Sequence, residues 1–202
     1  MATAGQPLSL PIVADAARLR IEVWSADQFH RYAEEAMAIY AEAMGYVAQA
    51  GIVRARSARS QSTFPDFAAR AAFDEHDRLI GFGYGYLSEH GQWWHEMVRE
   101  ALNAEQAAQW MTDAFELSEL HVHPSAQGRG VGRALLESLG DGLPHRHMLL
   151  STPDADTTAM HLYRRMGFVD LARRHYFPGE VRPFAILGRN LPFDPPARDR
   201  RV

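Results

Sequence analysis

"ELHVHPSAQGRGVGRALLESL" (residues 119–139) decides how this chain is read. A strand-like alternation, "ELHVH", stops at Pro124, and glycines stand at 128, 130 and 132. The apolar spacing of Val131, Leu135 and Leu139 then announces a helix. Glycine suits backbone that turns sharply or lies close against something, and each one costs conformational entropy. A turn of this kind lets the N–H groups around Gly128, Gly130 and Gly132 converge on one point, and the helix adds its own N-terminal donors and partial positive charge. The expectation is a seat for a pyrophosphate, with Arg129 and Arg133 at its rim. An ordinary strand-to-helix turn would leave the same spacing.

Two phosphate-binding patterns fail against this stretch. A P-loop needs a lysine, and the chain has none, because every one of its 21 Lys+Arg residues is Arg. A dinucleotide fingerprint would need glycine at Arg133 or at Leu135. What remains is Gln127-x-x-Gly130-x-Gly132 between a strand and an amphipathic helix.

Working outward, "RLRIEVW" alternates like a strand, and Ser25 with Gln28 resembles a capping box opening the helix "ADQFHRYAEEAMAIYAEAM", which Gly45 ends. "VRARSARSQSTF" predicts a second helix stopped near Pro65. "AARAAFDEHDRLIGFGYGYL" reads as a hairpin, with Tyr84 and Tyr86 as packing residues or cleft lining. Residues 88–113 switch to Trp-rich helical sequence, a helical insertion. Its Trp93, Trp94 and Trp110 either close over an acceptor or pack on the sheet. Downstream, "AFELSELHVH", "HRHMLLS", "FVDLARRHYF" and "PFAILGRNL" are strands, and "DTTAMHLYRRM" is a helix stopped by Gly167. Strands and helices mixed in this order predict a partly parallel α/β sheet covered on both faces.

A chain of 202 residues suits one domain. We expect flexible ends at 1–17 and 192–202 around a domain spanning 18–191. No apolar run nears the roughly 18 residues of a membrane span, and the start lacks a secretory signal, so a cytoplasmic protein is expected. With no cysteine, disulfides, thiolate zinc sites and cysteine nucleophiles are excluded. A net charge of -4 argues against nucleic acid as a partner.

"LHVHPSAQGRGVGRALLESL" resembles the acetyl-CoA-binding segment of the GNAT superfamily of N-acetyltransferases, Gln/Arg-x-x-Gly-x-Gly/Ala after a Val-x-Pro strand end. "DTTAMHLYRRMGFVD" resembles that family's second motif, with Ala159, Tyr163, Gly167 and Phe168 matching and Asp156 where an amide is usual. The resemblance covers residues 115–170. It implies a single-domain, mostly antiparallel sheet with a splayed central parallel pair and helices on both faces. It also implies acetyl-CoA as acyl donor: backbone of Leu120, His121 and Val122 on pantetheine, and Gln127, Gly128, Arg129, Gly130, Val131 and Gly132 on the pyrophosphate. Ser151, Thr152, Ala159 and Tyr163 would line the opening, and Asp156 either contacts the donor or caps its helix.

The implied reaction moves acetyl to a primary amine of a small molecule or peptide by direct attack. A lysine-like amine of pKa ~10.4 needs a base. Glu119 is the candidate, on the alternating face of His121 and His123, with Glu116 on the other face; Glu119 could equally be a salt-bridged strand-end carboxylate. Tyr163 is the candidate acid for the leaving thiolate, or a packing residue. Two rivals stand beside this reading. One is an acyl-CoA-binding regulatory module without turnover; the other is a metal-binding protein built on Glu119, His121 and His123 with His145 and His147. The acceptor, the acyl preference and homodimer formation are not written in the sequence.

Overall fold

The computed structural model describes residues 19–193. The expected segment 1–17, and the expected tail from residue 194 onward, lie outside these described residues. Strand β1 (Arg20–Trp24) leads through the capping box of Ser25 and Gln28 into helix α1 (Ala26–Met44), which closes at Gly45 in the left-handed conformation. Helix α2 (Ala48–Gln61) follows, then the hairpin β2 (Ala68–Phe73) and β3 (Leu79–Ser88). The insertion folds as α3 (Trp93–Ala101) and α4 (Ala104–Trp110), the latter opened by a capping box from Asn103 and Gln106. Strand β4 (Ala114–Val122) and a 3-10 turn (Pro124–Ala126) precede α5 (Val131–Gly140). Strand β5 (His147–Pro153), helix α6 (Thr158–Arg165), β6 (Val169–His175) and β7 (Phe184–Asn190) complete the elements of the described residues.

The seven strands form one sheet in the order β1-β2-β3-β4-β5-β7-β6. Every neighbouring pair is antiparallel except β4 and β5. That parallel pair holds register only at Ala114↔His147, Phe115↔Met148 and Glu116↔Leu149. Beyond these residues β4 stays on β3 and β5 stays on β7, so the two strands part.

Strand alternation sorts the helices. On β3, Phe82, Tyr84 and Tyr86 pack with Phe29, Ala33 and Met37 of α1 and Ala55 and Ala58 of α2. On β5, Leu149 joins Val98 and Leu102 of the insertion, whereas Met148 and Leu150 join Leu136 and Leu139 of α5 and Met160 and Tyr163 of α6. Helices α1 to α4 thus cover one face, and α5 and α6 the other. Full burial of Leu135, Leu136 and Leu139 stabilises α5 on the sheet by about 1.5–3 kcal/mol each. Phe193, placed in the tail by sequence, packs against Phe168 and beneath α5 at Gly140.

A bulge interrupts the β3–β4 ladder. Tyr84 pairs with Glu119 and Gly85 with Leu117, leaving Ser118 without a partner. The bulge sits where the partner strand lacks a side chain: a Cβ at Gly85 would collide with the carbonyl oxygen of Glu116 and the ring of Phe115. It also corrects the alternation. Glu116 does not face away from Glu119, because the extra residue resets the period and brings both carboxylates to the α1–α4 face.

Candidate active site

The parting of β4 and β5 opens a cavity of about 1270 Å3 that runs through the sheet. On the α6 side it is lined by Leu162 and Tyr163, and on the opposite side by Arg54, Tyr86, Trp94 and Glu116. Two reactants can therefore approach from opposite faces and meet between the strands.

Backbone polarity at the gap follows from the ladder. The N–H of His123 donates to Ile80 O, and successive residues alternate direction, so the backbone groups of Leu120 and Val122 point away from β3 into the gap. The carbonyl of Val122 there accepts from the side-chain amide of Gln127 at 3.0 Å, which closes the turn onto the strand. His121 differs from expectation: its carbonyl lies against Gly81 of β3, and its ring packs on Tyr40 and Phe82 beside Glu119.

Past the 3-10 turn, Gly128 and Gly130 adopt φ of 75° and 83°, the left-handed region that side chains rarely enter. Gly130 is the N-cap of α5 and offers no side chain to cap it, so the first-turn amides are left for a ligand. Gln127, Gly128, Gly130, Val131 and Gly132 line the cavity, as do Ser151, Thr152 and Ala159. Arg129 is exposed and outside the lining. Asp156 also departs from expectation. Its carboxylate pairs with His161 at 2.6 Å on the surface, and Thr157 caps α6 by accepting from Met160 N. The indole of Trp94 donates to Ser151 Oγ at 3.1 Å and Trp93, 58% exposed, stands at the rim. Trp110 is instead packed on His147 and below Gly188.

The two carboxylates of β4 have opposite surroundings. Glu119 Oε1 accepts from Arg54 Nε at 2.5 Å, and its Oε2 lies 2.5 Å from His121 Nε2. Burial alone would raise its pKa, but the Arg54 guanidinium and the His121 contact outweigh burial and hold it below the usual range. Glu116, 3% exposed, forms no ion pair among the described residues. Burial pushes it up to about 8, with Glu119 adding to the rise and the Tyr86 hydrogen bond and Arg54 opposing it. Its Oε1 accepts from Tyr86 Oη at 2.9 Å, while Oε2 is buried with no partner among the described residues. Glu116 is the residue that sequence reasoning missed. No periodicity marks it, because the bulge breaks the period. Tyr163 lies at the gap, and burial and then Glu119 keep its phenol protonated well above the ordinary tyrosine range.

The histidines do not gather. His123 turns to Ser125 and Glu42, His145 to Asp113, and His147 to Asn190. Among the described residues no group of three His, Cys, Asp or Glu could hold a metal ion.

The sheet opens between its parallel strands onto a glycine-cradled helix N-terminus. Residues 71–170 match the family model described as the acetyltransferase (GNAT) domain. The chain is 46% identical over 122 residues to a GCN5-like protein acetyltransferase of Mycobacterium tuberculosis, covering 56% of this chain and 59% of that protein. It is 39% identical over 64 residues to the N-alpha-acetyltransferase RimI of the same organism, covering 31% of this chain and 40% of that one. The chain thus spans less than two thirds of either relative. Among solved structures, a GNAT-family protein of Desulfovibrio desulfuricans superposes with a TM-score of 0.61 at 13% identity, over 86% of this chain and 99% of that one. Salmonella typhimurium yncA, solved with its cofactor acetyl-CoA, gives 0.60 at 14% identity, over 87% and 95%. At these identities the likeness concerns the fold.

Proposed function

We propose that the protein is an acetyl-CoA-dependent N-acetyltransferase that moves acetyl to a primary amine of a peptide or small molecule by direct attack. The observation that carries this reading is the through-sheet gap, with Tyr163 on one side and Glu116 on the other, ending at the open N-terminus of α5. Pyrophosphate would sit on the amides that follow Gly128 and Gly130, and pantetheine would bond the inward-facing backbone of Leu120 and Val122. The name of the 46%-identical relative, a protein acetyltransferase, supports a polypeptide amine as acceptor.

The chemistry assigns one proton to each side. The amine nitrogen attacks the thioester carbon, the C–N bond forms, and the proton it loses passes to Glu116. The C–S bond breaks, and the departing thiolate takes the proton of Tyr163 or its hydrogen bond. The Val122 N–H, facing the gap, polarises the carbonyl oxygen. We move the role of base from Glu119 to Glu116, because a carboxylate held in an ion pair is a weak proton acceptor, whereas one poised near neutrality is a good one. Arg54 and Glu119 then form the fixed electrostatic wall beside the acceptor.

The domain spanning 18–191, a cytoplasmic location and a lid role for Trp93 and Trp94 belong to the same proposal. No helix among the described residues is long and apolar enough to cross a membrane. The deciding experiment is calorimetric titration with acetyl-CoA against wild type and Gly130→Trp, followed by CoA release from a panel of amines and peptides. Binding abolished by the substitution, with CoA release, is the expected result. Binding with no release from any acceptor would favour the regulatory module, and no binding would overturn both.

A further inference from the structure

We propose that Gln61 is a positioning residue for the transfer: acting through Tyr86, it fixes which carboxyl oxygen of Glu116 is left without a hydrogen-bond partner to take the proton. The inference rests on Glu116 as proton acceptor.

Four side chains form a string with one direction. Tyr84 Oη donates to Gln61 Oε1 at 2.7 Å, Gln61 Nε2 donates to Tyr86 Oη at 3.0 Å, and Tyr86 Oη donates to Glu116 Oε1 at 2.9 Å. A phenolic proton has two in-plane orientations. The N–H of Gln61 occupies one of them at Tyr86, so the Tyr86 proton must point along the other, to Glu116 Oε1. That oxygen is thereby committed as an acceptor. The exchangeable proton of Glu116 belongs on Oε2, the buried oxygen that has no partner, in a residue that lines the cavity.

Gln61 is suited to this role by position. It is the last residue of α2 and stands seven residues, two helical turns, after Arg54, so both reach the sheet from one helix face. Arg54 grips Glu119 directly, and Gln61 reaches Glu116 through Tyr86. The groups that face Glu116 are Tyr86 from β3, Arg54 from α2 and Glu119 from its own strand, with the Ser118 side chain beside the two tyrosine hydroxyls. Arg54 is already engaged with Glu119. Within this set, Gln61 donates to the Tyr86 hydroxyl at 3.0 Å, and the Ser118 side chain also contacts that hydroxyl.

The test uses the full chain with Gln61→Leu, Tyr86→Phe and the double variant. Two measurements run in parallel: titration of the Glu116 carboxyl by NMR on glutamate-labelled protein, its resonance assigned with Glu116→Gln, and steady-state acetylation. Gln61→Leu should weaken the Tyr86 donation, raise the titration midpoint of Glu116 and lower kcat about 3- to 10-fold, the scale of one hydrogen bond. KM for acetyl-CoA should stay unchanged, and in the Tyr86→Phe background Gln61→Leu should add nothing. Losses that multiply in the double variant would overturn the proposal. So would an unmoved midpoint with thermal stability alone reduced. If Gln61→Leu does not fold, Gln61→Asn keeps both polar groups but is too short to reach both tyrosines, and it carries the same expectations. If the wild type acetylates nothing, the function fails, and the titration still decides whether Gln61 controls Glu116.

Discussion

Glu116 and Glu119, three residues apart on β4, face the same side of the sheet because Ser118 stands opposite no residue of β3. They lie in one cavity wall, but Arg54 answers only one of them closely. This asymmetry separates their protonation, and with it their expected phenotypes. Glu116→Gln should lower kcat about 10²- to 10⁴-fold, the range for a lost acid–base group, with acetyl-CoA affinity unchanged in calorimetry.

The activity profile should carry the same signature. The base form of Glu116 predominates above about pH 8, so kcat/KM for the amine should rise with pH through that value. Glu116→Gln should lose this limb and retain only the rise due to the amine's own deprotonation. A wild-type profile flat through pH 8 would remove Glu116 from the mechanism.

Stability should run in the opposite sense. Between the ordinary glutamate value of 4.5 and about 8, the folded chain holds a proton at Glu116 that the unfolded chain has released. This contribution is fully present below about 4.5 and lost as pH rises through 8. Glu119, with a depressed pKa, has the reverse sign: its contribution is present above the unfolded value and lost on acidification. Denaturant unfolding across this range should show a downward slope above pH 4.5 that Glu116→Gln flattens.

Arg54→Met should leave Glu119 buried without its cation. Truncating one partner of a buried pair costs about 3–5 kcal/mol, and the side chain of Arg54 remains 32% exposed, which places the expectation at the lower end. Adding Glu119→Gln should recover part of the loss, read as the denaturation midpoint of the double variant against the single one.

Gly130→Ala separates strain from collision. A Cβ there meets nothing within 4 Å, so the cost is that of a left-handed non-glycine residue, about 1–2 kcal/mol, or relaxation of the turn. Thermal denaturation should register the first and a weakened acetyl-CoA isotherm the second. An unchanged protein by both measures would mean that φ at 130 is not what shapes the seat.

Much of the fold was legible because local signals agreed with tertiary ones. The Ser25 box, the Gly45 stop, the hairpin around residue 76 and the leucine stripe of α5 are each specified by neighbours in sequence. The glycine turn was legible too, since positive φ at 128 and 130 is written in the residue type. The carboxylates were not. Period-two reasoning assumes an unbroken ladder, and the bulge that moved Glu116 depends on contacts between β3 and β4, some thirty residues apart. Asp156 misled for a related reason: Thr157 is also a good capping residue, and only the backbone shows which of the two starts α6.

Gly85 acts through what it withholds. A side chain there would press on the Glu116 carbonyl and the Phe115 ring, and β4 would have to move off or drop its extra residue. Dropping it would rotate everything after Leu117 by half a pleat: Glu119 would leave Arg54, His121 would leave Tyr40, and Leu120 would leave the α5 core. Positions 85 and 118 are therefore sterically tied, and a hydrogen atom on one strand decides the compass bearing of five residues on the next.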